Sequence, residues 1–437
     1  MDESHARKNL YVETYGCQMN DYDSQRIRTA LGMNVVEDPR HADVVIINTC
    51  AIREKADQKA FSSVGRFKHL KRRNPDLIIG MGGCVAQLYG RKLLESNPHL
   101  DLVFGTRNIP ELPRLISLLE RERIVETSFD VEDIFGVEPF HEPGKVTGFV
   151  SVQSGCNKKC TYCVVPAVRG EEVNRPIEEI LRESENLVEK GAREITLIGQ
   201  TVNSWKHGGY KFGDVLRKIA GIEGLMRIRF TTSYPRDMTS KLIDAMSDTG
   251  KVCRHIHLPV QSGSNRILQA MKRTYTREWY LDTIARLRGA IPDIALSTDI
   301  IVGFPGETER DFNETMELLR EVEFDGIFSF KFSPRPGTPA AGLGGSIPSD
   351  VAGRRLKELQ DFQREITYAK NRSRVGCVEE VLVEGPSKNG DHMVRGRTTH
   401  NRIVNFPATT DIMGKVVSVK ITEGYHNSLL GELIETI

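Results

Sequence analysis

The sequence predicts an α/β protein with an N-terminal open parallel α/β domain, a central partial (βα)6 barrel and a small C-terminal antiparallel β-barrel. Three observations predict it. β-rich runs alternate with helix-periodic stretches over the first part of the chain, the mark of βαβ units and a parallel sheet. Six further strand-like runs, again separated by helical stretches, follow. The end of the chain then turns to short strands joined by polar turns. At 437 residues the chain exceeds one ordinary core, so domains at 1–127, 146–370 and 371–437 are expected, with a linker at 128–145.

In the first domain the strands are "LYVETYGC" (10–17), "DVVIINTC" (43–50) and "LIIGMGGC" (77–84), and "REKADQKAFSSVGRFKHLKRR" carries apolar residues at helical spacing. Each strand ends in a cysteine. Ligands of open parallel sheets sit just beyond the carboxyl ends of the strands, so Cys17, Cys50 and Cys84 can converge on one point although 33 and 34 positions separate them. The competing reading is three buried core thiols, a common fate for cysteine. "SFDVEDIFGVEPFHEPGK" (128–145), acidic and containing Gly and Pro, reads as the linker.

The barrel strands are "TGFVSVQSG", "EITLIGQTV", "RIRFTTSYP", "HIHLPVQSG", "IALSTDIIVGFPG" and "GIFSFKFSP". Such a barrel carries its site at the carboxyl-end mouth. Gln200, Ser233, Gln261 and Asp299 fall at that mouth, where solvated caps are the alternative reading. "RRLKELQDFQREITYAKN" (354–371) is helical, with Leu356, Leu359, Phe362 and Ile366 on one face. The last strands are "VEEVLVEG", "HMVRGRT", "RIVNFPA" and "KVVSVKIT".

Lys+Arg 60 against Asp+Glu 59 leaves a formal charge of +1, so any nucleic-acid contact must come from local basic patches. "MDESHARKNL" has no apolar stretch of signal-peptide length, and no aliphatic run approaches the roughly 18 residues of a membrane span. A cytoplasmic protein is expected. In that reducing compartment eight cysteines with tight local spacing read as metal ligands or catalytic thiols before disulfides. Cys253 and Cys377 lack partner spacing and read as ordinary core residues.

"SGCNKKCTYC" (154–163) places Cys156, Cys160 and Cys163 directly after a strand. A structural zinc site wants four ligands, commonly from two Cys-x2-Cys units, and no second pair lies nearby. Three thiolates suit a 4Fe-4S cubane with one iron left open. An open iron can bind a substrate or cofactor directly. Here the chain resembles the radical S-adenosylmethionine (SAM) superfamily, in which SAM occupies that iron and one electron from the cluster yields a 5'-deoxyadenosyl radical. Tyr162 matches the aromatic position of that motif. "TDIIVGFPGET" (298–308) ends in Gly303, Pro305 and Gly306, a turn that would let backbone approach an adenine. Tyr162, Gln200, Ser233, Gln261, Asp299 and Gly303 are thus the expected cofactor contacts.

The whole arrangement resembles the radical SAM methylthiotransferases, through "ETYGCQMN", "NTCAIREKA", "GGCVAQ", "GCNKKCTYC", "HLPVQSGS" and "IVGFPGET". "YGCQMN" with "NTCAIREKA" is most similar to the tRNA-modifying, MiaB-type branch. Ala51 stands where Ser is commoner, and "RGEEVNRP" (169–176) departs from the usual "RGRExSR". The resemblance implies a second 4Fe-4S cluster on Cys17, Cys50 and Cys84, and a terminal RNA-binding TRAM domain. It also implies addition of a methylthio group to carbon 2 of N6-isopentenyladenosine 3' of a tRNA anticodon. One SAM would methylate a sulfur on the auxiliary cluster and a second would make the radical, because that C–H bond is beyond the reach of side-chain acids and bases. Donor and radical would share one cavity.

The implied partners are a tRNA anticodon stem-loop carrying isopentenyladenosine, a flavodoxin- or ferredoxin-like electron donor and iron-sulfur assembly or carrier proteins, with the enzyme a monomer and no membrane involved. "HMVRGRTTHNRIV" gathers Arg395, Arg397 and Arg402 with His392 and His400, and "MKRTYTREWY" carries Arg273 among Tyr275, Trp279 and Tyr280. These are the expected RNA contacts, the aromatics stacking on unpaired bases. "FKHLKRR" (67–73) is a further basic stretch. The alternatives are methylthiolation of a threonylcarbamoyl-adenosine in tRNA or of a ribosomal-protein aspartate, and a non-catalytic iron-sulfur RNA-binding protein.

Overall fold

The computed structural model describes residues 8–51, 54–388, 390 and 392–436, with side chains described except at 54–60 and 436. The N-terminal residues read for a leader, and Ile52 and Arg53 of "NTCAIREKA", lie outside the described residues. The chain divides into two compact units, Met1–Glu142 with Ser154–Asn157 and Val164–Arg175, and Pro143–Gln153 with Lys158–Cys163 and Pro176–Ile437.

In the first unit six parallel strands stand in the order β2-β1-β3-β4-β5-β6: β1 (Asn9–Thr14), β2 (Asn34–Val35), β3 (Val44–Thr49), β4 (Ile78–Gly83), β5 (Leu102–Phe104) and β6 (Ile124–Glu126). β1, β3 and β4, the three strands read from sequence, are adjacent. Every residue of β3 is buried, because helices cover both faces of a parallel sheet. Val45 and Ile47 pack with Ile79, Met81, Phe67 and Leu93 on one face, whereas Val44 and Ile46 pack with Leu10, Ile27, Phe104 and Leu112 on the other.

Residues 128–142 are more than a tether. Ile134 and Phe135 are buried. Arg26, on the helix Gln18–Leu31, donates to the carbonyls of Val137 (3.0 Å) and Ile134, and Arg28 pairs with Glu142 at 2.8 Å. Polar composition made this stretch read as a linker, yet two of its carbonyls accept from Arg26 and its Glu142 carboxylate pairs with Arg28.

In the second unit the strands β7 (Thr147–Ser151), β8 (Glu194–Ile198), β9 (Arg227–Phe230), β10 (His255–His257), β11 (Ala295–Val302) and β12 (Gly326–Lys331) form two parallel three-stranded sheets, β9-β8-β7 and β10-β11-β12. Parallel bridges at Ile228–Val252 and Gln261–Ile300 extend them. Along β11, Thr298, Ile300 and Val302 are buried and Ser297, Asp299 and Ile301 are half-buried, as period-two alternation requires.

The helix Ser349–Arg372 buries Ala352, Arg355, Leu359 and Gln363, with Leu356 and Phe362 only partly covered. With Asn371, also buried, the helix covers three polar residues absent from the apolar stripe: Arg355, Gln363 and Asn371. Arg355 pairs with Glu307 at 2.9 Å, Gln363 Nε2 donates to the Phe324 carbonyl at 2.7 Å and Asn371 Nδ2 donates to the Tyr425 carbonyl at 2.7 Å, whereas Arg355 Nε and Gln363 Oε1 have no hydrogen-bond partner among the described residues.

The terminal strands β13 (Val378–Pro386), β14 (Met393–Thr398), β15 (Ile403–Pro407), β16 (Val416–Gly424) and β17 (Leu429–Thr436) close in the order β13-β14-β15-β17-β16. The sequence reading lacks β17 and expects antiparallel pairing throughout. Five strands cannot alternate direction around a closed ring, so one pair must be parallel, and it is β15 with β17. This barrel is held to the (βα)6 strands by arginines of β9. Arg229 pairs with Glu194 at 2.8 Å and donates to the Thr398 carbonyl at 2.7 Å, and Arg227 donates to the Glu380 carbonyl at 3.1 Å. Among the described residues no helix is long and apolar enough to cross a membrane.

Candidate functional site

Cys17, Cys50 and Cys84 stand just past the ends of β1, β3 and β4, and the letters around them are bonded to one another. Asn20 of "CQMN" donates through Nδ2 to Asn48 Oδ1 (3.2 Å) and to the Thr49 carbonyl (2.9 Å). Asn48 of "NTC" returns a bond to the Asn20 carbonyl (2.9 Å) and another to Ser24 Oγ (2.9 Å). Thr49 Oγ1 donates to the Gly82 carbonyl (2.6 Å). The strand ends are thereby tied side to side, which fixes where the three thiols emerge. Cys50 and Cys84 are buried at 2 % exposure each, whereas Cys17 is exposed.

The thiols also sense one another. A hydrogen bond with Cys50 brings the Cys17 thiol down to about 6; surrounding protein opposes this, and the Arg169 charge with backbone donors at Met19 and Asn20 assists. Burial pushes the Cys84 thiol up, with the Arg169 guanidinium opposing. No three His, Cys, Asp or Glu side chains among the described residues gather closely enough for a single metal ion. A cubane takes each thiolate on a different iron and asks for a wider set. Three thiols at three adjacent strand ends, one of them poised as thiolate, fit that group.

The loop 154–163 is shared between the units. In the first, the Cys156 N–H donates to the Gly170 carbonyl at 3.2 Å. Gly155 there has φ +82°, and a Cβ would meet the Glu171 carbonyl at 2.0 Å, so only glycine permits this approach. In the second, Cys160 and Cys163 are half-buried. Thr161 is anchored by its N–H to the Met271 carbonyl (3.1 Å) and its Oγ1 to the Ala270 carbonyl (2.9 Å). Tyr162 packs against Ile267, Met271, Phe304 and Ala340.

At the barrel mouth Ser233 is 4 % exposed and its hydroxyl has no hydrogen-bond partner among the described residues. A buried orphan hydroxyl is costly unless a ligand completes it, which suits a cofactor contact. Gln261 is buried with φ +78°, its N–H donating to the Asp299 carbonyl at 2.9 Å. Asp299 lies 3.5 Å from His257 Nε2, in a chain the sequence did not reveal, in which Ser297 Oγ stands 3.0 Å from His257 Nδ1 and 3.1 Å from His255 Nε2. Gln200 is half-buried beyond β8. Gly303, at φ +71°, donates its N–H to Glu307 at 2.7 Å, and a Cβ would meet that of Ala352 at 2.8 Å. Its lost side chain makes room for the helix Ser349–Arg372.

The expected RNA contacts separate. Arg273 is half-buried beneath the barrel loops, 3.4 Å from Cys160 Sγ, donating to the Pro259 carbonyl at 2.8 Å and lying over the Tyr234 ring at 4.4 Å. Its guanidinium is engaged with the three-cysteine loop. Tyr275 and Tyr280 are buried, their phenols donating to the carbonyls of Val260 (3.1 Å) and Leu258 (2.9 Å), so neither ring is open for base stacking. Arg402 pairs with Asp325 at 2.6 Å and Arg397 with Glu384 at 3.0 Å. Arg395 is exposed. In "FKHLKRR", Lys71 pairs with Asp101 at 2.9 Å. Cys253 is buried, which raises its thiol to about 11; Cys377 is only half-buried, not a core residue.

This combination of parallel domain, three-cysteine barrel and five-stranded terminal barrel is matched part by part by family models. The Radical SAM superfamily matches residues 150–319, the uncharacterized protein family UPF0004 residues 9–105 and the TRAM domain residues 372–434. The solved structure of the radical S-adenosylmethionine methyltransferase TsrM from Kitasatospora setae covers 77 % of this chain and 74 % of its own, with a TM-score of 0.59 at 16 % identity, a likeness of fold. Curated relatives called tRNA-2-methylthio-N(6)-dimethylallyladenosine synthase include those of Carboxydothermus hydrogenoformans, 46 % identical over 98 % of this chain and 100 % of the relative, and Geotalea uraniireducens, 48 % identical over 98 % and 99 %. The chain belongs to the tRNA-2-methylthio-N(6)-dimethylallyladenosine synthase family of radical SAM enzymes.

Proposed function

We propose that the protein adds a methylthio group to carbon 2 of N6-isopentenyladenosine immediately 3' of a tRNA anticodon, using SAM and two 4Fe-4S clusters. The observation that carries this reading is the presence of two three-cysteine sets in one chain, within a family so named along nearly its whole length. Cys17, Cys50 and Cys84 would hold the auxiliary cluster, and Cys156, Cys160 and Cys163 the cluster that meets SAM. When bound, these groups supply one-electron chemistry and a sulfur donor.

The protein's part is binding and orientation. The Asn20, Asn48 and Thr49 bonds fix the ends of β1, β3 and β4 under the auxiliary thiols. Arg273 sets a positive charge 3.4 Å from Cys160 Sγ. Ser233 offers a hydroxyl to the cofactor, and Tyr162, Gln200, Gln261, Asp299 and Gly303 complete the proposed contacts. Arg395 is the proposed phosphate contact of the TRAM domain. An electron donor of the flavodoxin or ferredoxin kind, iron-sulfur assembly or carrier proteins, a monomeric state and a cytoplasmic location belong to the same reading.

Anaerobically prepared protein should hold about eight irons per chain, and Cys17→Ala should abolish methylthiolation while sparing SAM cleavage to 5'-deoxyadenosine. One cluster only would overturn the reading. Nucleoside mass spectrometry of tRNA from a deletion strain identifies the substrate. Accumulated isopentenyladenosine is expected, whereas an unchanged profile would point to the threonylcarbamoyl-adenosine or ribosomal-protein alternative.

A further inference from the structure

A buried charge group sits in the first unit beside the cysteine-bearing strand ends. Arg169 and Asp23 are 4 % and 2 % exposed and pair at 2.6 Å. Arg26 brings a second buried guanidinium 3.8 Å from the same carboxylate. Two guanidiniums share one carboxylate, so the group carries one positive charge in excess. Burying such a charge is unfavourable unless an anion compensates it.

The backbone shows where that anion would lie. Asp23 is on the helix Gln18–Leu31, which begins directly after Cys17. Arg169 ends the short helix Val165–Arg169, which packs on the helix beginning at Cys84. Its peptide is stapled there: Thr106 Oγ1 donates to the Val168 carbonyl (2.7 Å), and Arg107 donates to the carbonyls of Arg169 (3.2 Å) and Glu171 (2.6 Å). The titratable groups that act on the Arg169 guanidinium are Asp23, Cys84 and Cys17.

A cubane core of charge 2+ on three thiolates has a net charge of −1, and one-electron reduction makes it −2. A fixed neighbouring cation favours the reduced form. We propose that Arg169 is the counter-charge of the cluster held by Cys17, Cys50 and Cys84, and that Asp23 attenuates it, so that the pair sets the cluster's midpoint potential. This rests on the assignment of that cluster to those cysteines. Arg169 is thus a positioning and tuning residue, acting through the cluster and not on the substrate.

The test uses full-length protein with Cys156, Cys160 and Cys163 replaced by Ala, which leaves the auxiliary cluster alone, and follows its stepwise reduction by EPR against dithionite-poised mediators. Arg169→Leu should disfavour the reduced form at least tenfold, a shift of 59 mV or more to negative potential. Asp23→Asn should shift it the opposite way, and Arg169→Lys should stay nearer the parent than Arg169→Leu. Opposite signs for the leucine and asparagine variants are not what general loosening of the site produces. Shifts of one sign, or none with the cluster signal intact, would overturn the proposal. If Arg169→Leu takes up no iron, Asp23→Asn decides: a positive shift supports the proposal and any other result overturns it. A parent with no 4Fe-4S signal would overturn the cluster assignment itself, and the role of the pair with it.

Discussion

Gly83 has φ +89°, and a Cβ there would stand 2.3 Å from the Thr49 carbonyl and 2.5 Å from Asn48 Oδ1. Backbone cannot yield to it without moving the ends of β3 and β4, and Cys50 and Cys84 emerge from those ends. Gly83→Ala should therefore lower iron content from about eight to about four per chain while 5'-deoxyadenosine formation persists; full iron content would show that the strand ends tolerate the shift. Ser233 predicts the reverse trade. Its orphan hydroxyl costs the cofactor-free protein about 1–3 kcal/mol, so Ser233→Ala should raise the denaturation midpoint of cofactor-free protein and weaken SAM binding, measured by calorimetry. Unchanged binding would remove Ser233 from the site. At this scale the strand-end positions of Cys17, Cys50 and Cys84 were legible because the β-rich runs that precede them are properties of sequence. The bonds of Asn20 to Asn48 were not, since they join letters 28 positions apart. The contact of Arg273 was hidden for a related reason: a cation in a basic run looks solvated until its neighbour, Cys160, 113 positions away, is seen.

Periodicity made most elements readable, and the failures share a physical origin. β17 is rich in glutamate and crossed by Gly431, so it reads weakly as a strand, yet ring closure demands it. The stripe on the helix Ser349–Arg372 includes Arg355 and Gln363, whose burial follows from partners on other elements and not from their own polarity. β10 carries a comparable hidden feature in His255. Burial first, then the charge of Arg229, pushes its imidazole well below the usual 6.5. The unfolded chain takes up a proton there below about pH 6.5 while the folded one does not, so acidification favours unfolding, by up to about 1.4 kcal/mol per pH unit for one proton. Between pH 6.5 and 5.5 the denaturation midpoint of the wild type should fall, and His255→Asn should flatten that fall. His400 is shifted the same way by burial and should account for part of what remains. An equal slope in both proteins would mean that His255 is protonated when folded.

For the molecule as a whole a formal charge of +1 gives no long-range attraction to RNA, so affinity for tRNA must come from individual phosphate contacts. Sequence could indicate which segment is basic but not which of its cations are already engaged. Arg402 is held by Asp325, which also pairs with Lys370 of the helix Ser349–Arg372 at 3.2 Å, and the Arg402 bond fastens the terminal barrel to the rest of its unit. Arg397 is held by Glu384. Arg395 projects from β14 into solvent. Each phosphate contact adds about 0.7–0.9 to the slope of log affinity against log salt. Arg395→Ala should therefore reduce that slope by about one contact and leave the thermal midpoint nearly unchanged. Arg402→Ala should leave the slope alone, lower the midpoint and speed limited proteolysis near residue 375, because it removes the pair with Asp325 and loosens the barrel's attachment. Both sets of values come from filter binding of tRNA across a salt series and from thermal scans of the same samples. If Arg402→Ala instead cost a full contact at constant stability, the Asp325 pair would have to open on binding, and the basic segment would act as a unit when it meets RNA.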